Sequence, residues 1–117
     1  MKDGKYAVMI VEDQQMPKML FSQFVSSSDH FTLVCAIENA ALAEVICLRH
    51  PVDLILMDVV TENGVSGLDA AARIREKFPQ IRIIIVTSMP EYSYLRRARE
   101  IGVEGFWYKE TDEEPIL

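Results

Sequence analysis

The sequence predicts one α/β domain in which a parallel sheet lies between two layers of helices. Two observations carry that expectation. Strand-sized apolar runs alternate with segments whose apolar residues recur at helical spacing, and such alternation requires right-handed crossovers between parallel strands. The run Val52-Asp53-Leu54-Ile55-Leu56-Met57 is, in addition, apolar almost throughout, as a central strand covered on both faces must be. It stops on Asp58, before a polar, glycine-containing turn. At 117 residues there is room for one core and no second domain.

Tyr6 to Val11 reads as the first strand and ends on Glu12-Asp13. From Gln14 to Val25 the residues Met16, Leu20 and Phe24 recur at i, i+4 and define an amphipathic helix; Pro17 is tolerated because it falls in the first turn. Ser26-Ser27-Ser28-Asp29 breaks that helix, and Phe31 to Ile37 supplies a β-branched second strand. Asn39 is placed as N-cap of a helix over 40–49, with Leu42, Val45, Ile46 and Arg49 on one side, ended by His50-Pro51. After the strand to Asp58 come a loop over 59–65 and a helix capped by Ser66 that buries Leu68, Ala71, Ile74 and Phe78, closed by Pro79. Ile81 to Val86 is a further central strand, delivering Thr87 and Ser88. Helical spacing returns through Leu95, Ala98 and Ile101, with Gly102 just past the C-terminus. Val103 to Tyr108 makes a last short strand ending on Lys109.

Composition narrows the function. A formal net charge of −6 disfavours direct binding to nucleic acid or an anionic membrane and suits a cation-binding protein. No apolar run approaches the ~20 residues that span a bilayer, and Met1 to Lys5 lacks the apolar stretch of a secretory signal, so a cytoplasmic location is expected. Cys35 and Cys47 lack metal-ligand spacing and read as small core residues. His30 and His50 read as turn residues. Arg96, Arg97 and Arg99 share a helix with Glu91 and Glu100 and read as a solvated face, on which Tyr92, Tyr94 and Arg96 are candidates for a dimer or partner surface.

A parallel sheet brings all carboxyl ends of its strands to one rim, so Glu12-Asp13, Asp58, Thr87 and Lys109 converge there. Three carboxylates a few ångströms apart repel by ~1 to 4 kcal/mol per pair unless a cation compensates them. Oxygen ligands without His or Cys favour a hard ion, and a small set that leaves room for water and a phosphoryl oxygen favours Mg²⁺. Lys109 adds a compact positive charge and Thr87 a hydroxyl donor. The chemistry implied is phosphoryl transfer to a carboxylate, with Asp58 as nucleophile.

These five polar residues, in this order at these strand ends, resemble the receiver domains of two-component response regulators over essentially the whole chain. The resemblance implies a flavodoxin-like five-stranded sheet of order 2-1-3-4-5, and Asp58 as phospho-acceptor for a sensor histidine kinase. It also implies Mg²⁺ held by Asp13, Asp58 and the Val60 carbonyl, with Glu12 acting through a metal-bound water. Thr87 and Lys109 would bind the phosphate, and Phe106, three places before Lys109, would report the switch with Thr87. Such a protein catalyses only its own phosphorylation and dephosphorylation. It signals through a C-terminal effector, with homodimerisation on phosphorylation as a further expectation and DNA contacted only by that effector.

Three departures from the family pattern stand out. Thr61 to Gly67 lacks the usual Met-Pro pair and is one residue longer. Glu110 replaces the proline that usually follows the lysine, which resembles the LuxR/NarL-like transcriptional regulators. Thr111 and Glu114 are spaced as a capping box, but the last helix is largely missing, so residues 1–117 read as a receiver excised from a longer protein. Val60 and Met89, two places beyond Asp58 and Thr87, cannot activate water and imply slow self-dephosphorylation. Two other readings compete: a degenerate receiver that only binds a partner, and a Mg²⁺-dependent phosphatase that forms an aspartyl-phosphate. The phosphatase lacks its second acid, since Val60 stands where it belongs, and no insertion is long enough for a substrate cap.

Overall fold

A computed structural model describes residues 4–89 and 91–109. Strands β1 (Tyr6–Val11), β2 (Phe31–Ile37), β3 (Leu54–Asp58), β4 (Arg82–Thr87) and β5 (Gly105–Tyr108) form one sheet in the order β2-β1-β3-β4-β5. Every neighbouring pair is parallel. Helices α1 (Gln15–Ser27), α2 (Ala43–Arg49), α3 (Gly67–Lys77) and α4 (Tyr92–Ile101) connect them, with short 3-10 turns at Ala40–Leu42 and Glu62–Gly64. The expected fold class and strand order are both present.

The period-2 alternation of the strands divides the core in two. Met9, Val11, Ile55, Met57, Ile83 and Ile85 meet α2, α3 and α4 on one face. Val8, Ile10, Leu56 and Ile84 turn to the other, where Phe21 and Val25 of α1 cover part of them. An open groove of about 780 Å³ lies at the amino-terminal end of the sheet, bounded by Tyr6, Phe31, Leu54, Arg82 and Ile84 among others. The predicted Glu110, the capping box and the missing last helix lie outside the described residues.

Helix α1 departs from expectation. Met16, Leu20 and Phe24 are 61%, 54% and 48% exposed, and the helix rests instead on Phe21 and Val25. Both sets obey i, i+4 spacing, so the helix carries two apolar stripes about 100° apart, and one sheet face can cover only one of them. The helix also runs through Ser27, two residues beyond the expected end, with the Ser27 hydroxyl donating to the Phe24 carbonyl.

Helix α2 is shorter than predicted. Asn39 does cap, its Oδ1 accepting the Ala41 N–H at 2.8 Å, but it caps the 3-10 turn, and α2 proper starts at Ala43. Ala43 and Cys47 are buried and Ile46 partly so, whereas Leu42 and Val45 are exposed. Small residues let this turn-and-helix sit close to the sheet, and the larger Leu42 and Val45 are left outside. Burial, then the nearby Cys35 and Glu44, push the Cys47 thiol up to about 11, in keeping with an inert core cysteine.

The remaining caps match expectation. Ser66 Oγ accepts the Asp69 N–H at 3.1 Å, and Gly102 takes the left-handed conformation (φ 85°), donating its N–H to the Ala98 and Arg99 carbonyls. Tyr94 packs against the core and is not free surface, Tyr92 is exposed, and Arg97 pairs with Asp69 of α3 at 2.8 Å. No described helix is long and apolar enough to cross a membrane.

Ile74→Ala, in the fully buried stripe of α3, is expected to lower unfolding free energy by about 2–5 kcal/mol. Leu20→Ala, on the exposed stripe of α1, is expected to stay within about 0.5 kcal/mol of wild type. Urea denaturation compares the two.

Candidate functional site

Asp13, Asp58, Val60, Thr87 and Lys109 line one cavity of about 210 Å³ at the carboxyl rim of the sheet. It lies where the strand order reverses between β1 and β3, the crevice at which open α/β sheets place their ligands. Met89 completes the wall together with Gln14 and Ser88, which the sequence reading did not single out as site residues. Each adjoins a predicted site residue, so proximity in the chain was the available signal.

Glu12 lies beneath the cavity and is fully buried. Its Oε1 accepts from Lys109 Nζ at 2.7 Å and its Oε2 from the Gln14 N–H at 3.2 Å. The same Lys109 ammonium lies 3.2 Å from Asp58 Oδ2, while Asp58 Oδ1 accepts the Val59 N–H at 2.8 Å. Lys109 therefore spans two buried carboxylates delivered by different strands. Burial first, and then the charge of Glu12, push the Asp58 carboxyl up to about 7, against the opposing pull of Lys109. One carboxylate oxygen from each of Glu12, Asp13 and Asp58 falls within a common 4.8 Å, with Asp13 open to solvent.

The loop after Asp58 folds back on itself. Thr61 N–H donates to the Val65 carbonyl at 2.9 Å and Gly67 N–H to the Val59 carbonyl at 2.7 Å, flanking the antiparallel pair Val60–Ser66. In such a pair the residue between the two bonds turns its own N–H and carbonyl away from its partner. The Val60 carbonyl is thus left out of the bridge in a residue that lines the cavity, and no hydrogen bond among the described residues uses it. The loop makes the 3-10 turn Glu62–Gly64, with Asn63 (φ 61°) and Gly64 (φ 74°) both left-handed. Gly67 is required by contact: a Cβ there would lie 1.7 Å from the Asp58 carbonyl oxygen.

An all-oxygen set of three carboxylates beside an unused carbonyl fits a hard divalent cation. Thr87 is buried at the end of β4, its Oγ1 accepting the Met89 N–H at 3.1 Å and its carbonyl accepting the Lys109 N–H at 2.7 Å. Phe106 is not brought to the cavity. It pairs in register with Ile85 and packs into the core, edge-on to Tyr108 with ring centroids 6.2 Å apart. The aromatic abreast of Thr87 is Tyr108, which is 44% exposed.

A family model, the response regulator receiver domain, matches residues 8–117. The chain belongs to that family. It is 32% identical over 111 residues to the response regulator protein VraR of Staphylococcus aureus, covering 93% of this chain and 52% of that protein. It is 26% identical over 110 residues to the oxygen regulatory protein NreC of Staphylococcus haemolyticus, covering 94% of this chain and 51% of that protein. The chain thus spans about half the length of the curated relatives it matches. Among solved structures it is similar to a LuxR-family DNA-binding response regulator from Staphylococcus aureus, with a TM-score of 0.82, 25% identity and coverage of 92% and 88% of the two chains. The response regulator domain of Thermotoga maritima CheB shares the fold, with a TM-score of 0.82, 23% identity and coverage of 96% and 84%. The receiver assignment and its likeness to LuxR-type regulators agree with the sequence reading.

Because folding raises the Asp58 pKa from ~3.9 to about 7, the folded receiver retains a proton there that the unfolded chain releases. This contribution to stability is complete below pH ~4 and is lost as pH rises to about 7. In EDTA, the urea midpoint of wild type minus that of Asp58→Asn is expected to fall across that window and level off above it.

Proposed function

We propose that this receiver accepts a phosphoryl group on Asp58 from a phosphohistidine of a sensor kinase, and that the modified domain acts as a switch. The observation that carries the reading is the Lys109 ammonium shared between Asp58 and Glu12, on a rim where Asp13 and Thr87 also arrive. An Asp58 carboxylate oxygen forms the new bond to phosphorus as the P–N bond breaks. The electron pair of that bond returns to the imidazole nitrogen, and the product is an acyl phosphate. Lys109 and the Thr87 hydroxyl donate to phosphoryl oxygens, and Lys109 also favours the ionised Asp58 that can attack. Asp13, Asp58 and the Val60 carbonyl would hold Mg²⁺, with Glu12 acting through water; when bound, the ion supplies charge neutralisation for carboxylates and phosphoryl oxygens.

The domain is read as turning over only its own phosphate and not as an enzyme acting on a metabolite. By similarity to the LuxR-type relatives, we propose a cytoplasmic protein whose output is a C-terminal DNA-binding part, with homodimerisation as one consequence of phosphorylation. Phe106 enters this reading only by packing, through its contact with Tyr108 beside Thr87.

Incubation with acetyl phosphate and Mg²⁺ is expected to add the mass of one phosphoryl group to the intact protein, and to add nothing to Asp58→Ala or in the presence of a chelator. An unmodified but folded wild type would favour the partner-binding, degenerate receiver. Val60 and Met89, both at the cavity, carry no group that can orient or activate water. The acyl phosphate is therefore expected to survive for minutes or longer after removal of the donor; a lifetime of seconds by the same mass assay contradicts this.

A further inference from the structure

We infer that Thr61 is a positioning residue, whose buried hydroxyl fixes the Val60 carbonyl and thereby sets the affinity of the acid cluster for a divalent cation. The inference rests on the phospho-acceptor reading above. Thr61 directly follows Val60, and it is only 1% exposed while Glu62, Asn63 and Gly64 beside it are exposed.

Its side chain closes a bridge between two loops. Thr61 Oγ1 accepts the Ala40 N–H at 3.0 Å and donates to the Val65 carbonyl at 2.7 Å. Ala40 opens the turn after β2, so the hydroxyl ties the metal-side loop after β3 to the exit of β2, on the far side of β1. A second bond runs parallel to it, from the Glu62 N–H to the Glu38 carbonyl at 2.8 Å, and the Glu38 carboxylate is itself held by Lys18 of α1 at 2.5 Å.

Backbone bonds flank Val60 within the loop, from Gly67 N–H to the Val59 carbonyl and from Thr61 N–H to the Val65 carbonyl, whereas the tie to the chain beyond β2 is made by the Thr61 hydroxyl and the Glu62 N–H. Removing that hydroxyl leaves the buried Ala40 N–H without its partner and takes away one of the two bonds that hold residues 61–62 to the chain beyond β2, next to the Val60 carbonyl. Groups that orient a metal ligand in this way alter metal affinity by about 10–100-fold when removed.

Thr61→Val keeps the branched shape and lacks the hydroxyl, Thr61→Ser keeps the hydroxyl, and Thr61→Ala serves where the valine variant does not fold. Hydrogen exchange on the metal-free proteins is expected to show faster exchange of the Ala40 and Glu62 amides in the hydroxyl-free variants only. Calorimetric titration with MgCl₂ is expected to show binding weakened by about 10–100-fold in those variants and by less than about threefold in Thr61→Ser. Unchanged Mg²⁺ affinity with faster amide exchange would make the hydroxyl purely structural, overturning the inference and leaving the phospho-acceptor reading intact. Equal weakening in Thr61→Ser would also overturn it. A wild type whose Mg²⁺ binding does not depend on Asp13 and Asp58 would remove both.

Discussion

A buried carboxylate that must also be able to carry charge is the constraint on which this structure turns. Asp58 ends a strand whose preceding residues Ile55, Leu56 and Met57 are all buried, and it shares its surroundings with a second buried acid, Glu12. Two buried carboxylates without a counter-charge would be costly to keep ionised. Lys109 resolves this from 51 residues away from Asp58 and 97 from Glu12, so the site exists only when β5 has docked on β4. Folding of the whole sheet is thus a precondition for the site's electrostatics.

The same constraint shapes the connection to α3. That helix begins so close to Asp58 that its first residue can carry no side chain, which is why Gly67 stands against the Asp58 carbonyl. With Gly67 and Val59 locked together, the loop between them reverses through the left-handed Asn63 and Gly64. The loop's altered sequence and its retained opening onto the cavity are in this sense compatible.

Legibility in the sequence followed physical type. Strands were readable because burial on both faces forces continuous apolar runs, and Asp58, Asp13, Thr87 and Lys109 were readable because parallel strands share one rim. The faces of α1 and α2 were not, because periodicity identifies apolar stripes without saying which one the sheet covers. Met16, Leu20 and Phe24 obey the same i, i+4 spacing as Phe21 and Val25. Phe106 was singled out from its chain distance to Lys109; that Tyr108 stands abreast of Thr87 follows from the cross-strand register, which sequence does not display. The loop from Thr61 to Gly67 stood out in the sequence, but the roles of its two end residues did not, because they depend on contacts with Ala40 and Asp58 that only the folded loop creates.

On the proposed reading, phosphorylation redistributes charge at the very point where β5 is tethered. Asp58 exchanges a single carboxylate charge for a phosphoryl group of about −1.5 to −2, and Lys109 is the nearest ammonium able to answer it. Any shift of Lys109 toward the phosphate weakens its 2.7 Å bond to Glu12, which has no solvent exposure to compensate the loss. The resulting bias falls on a strand of four residues at the edge of the sheet, held to β4 near this point by the Lys109 N–H on the Thr87 carbonyl. Tyr108 and Phe106 precede Lys109 on that strand and touch edge to face, so β5 is the element best placed to carry a change in the site to the surface.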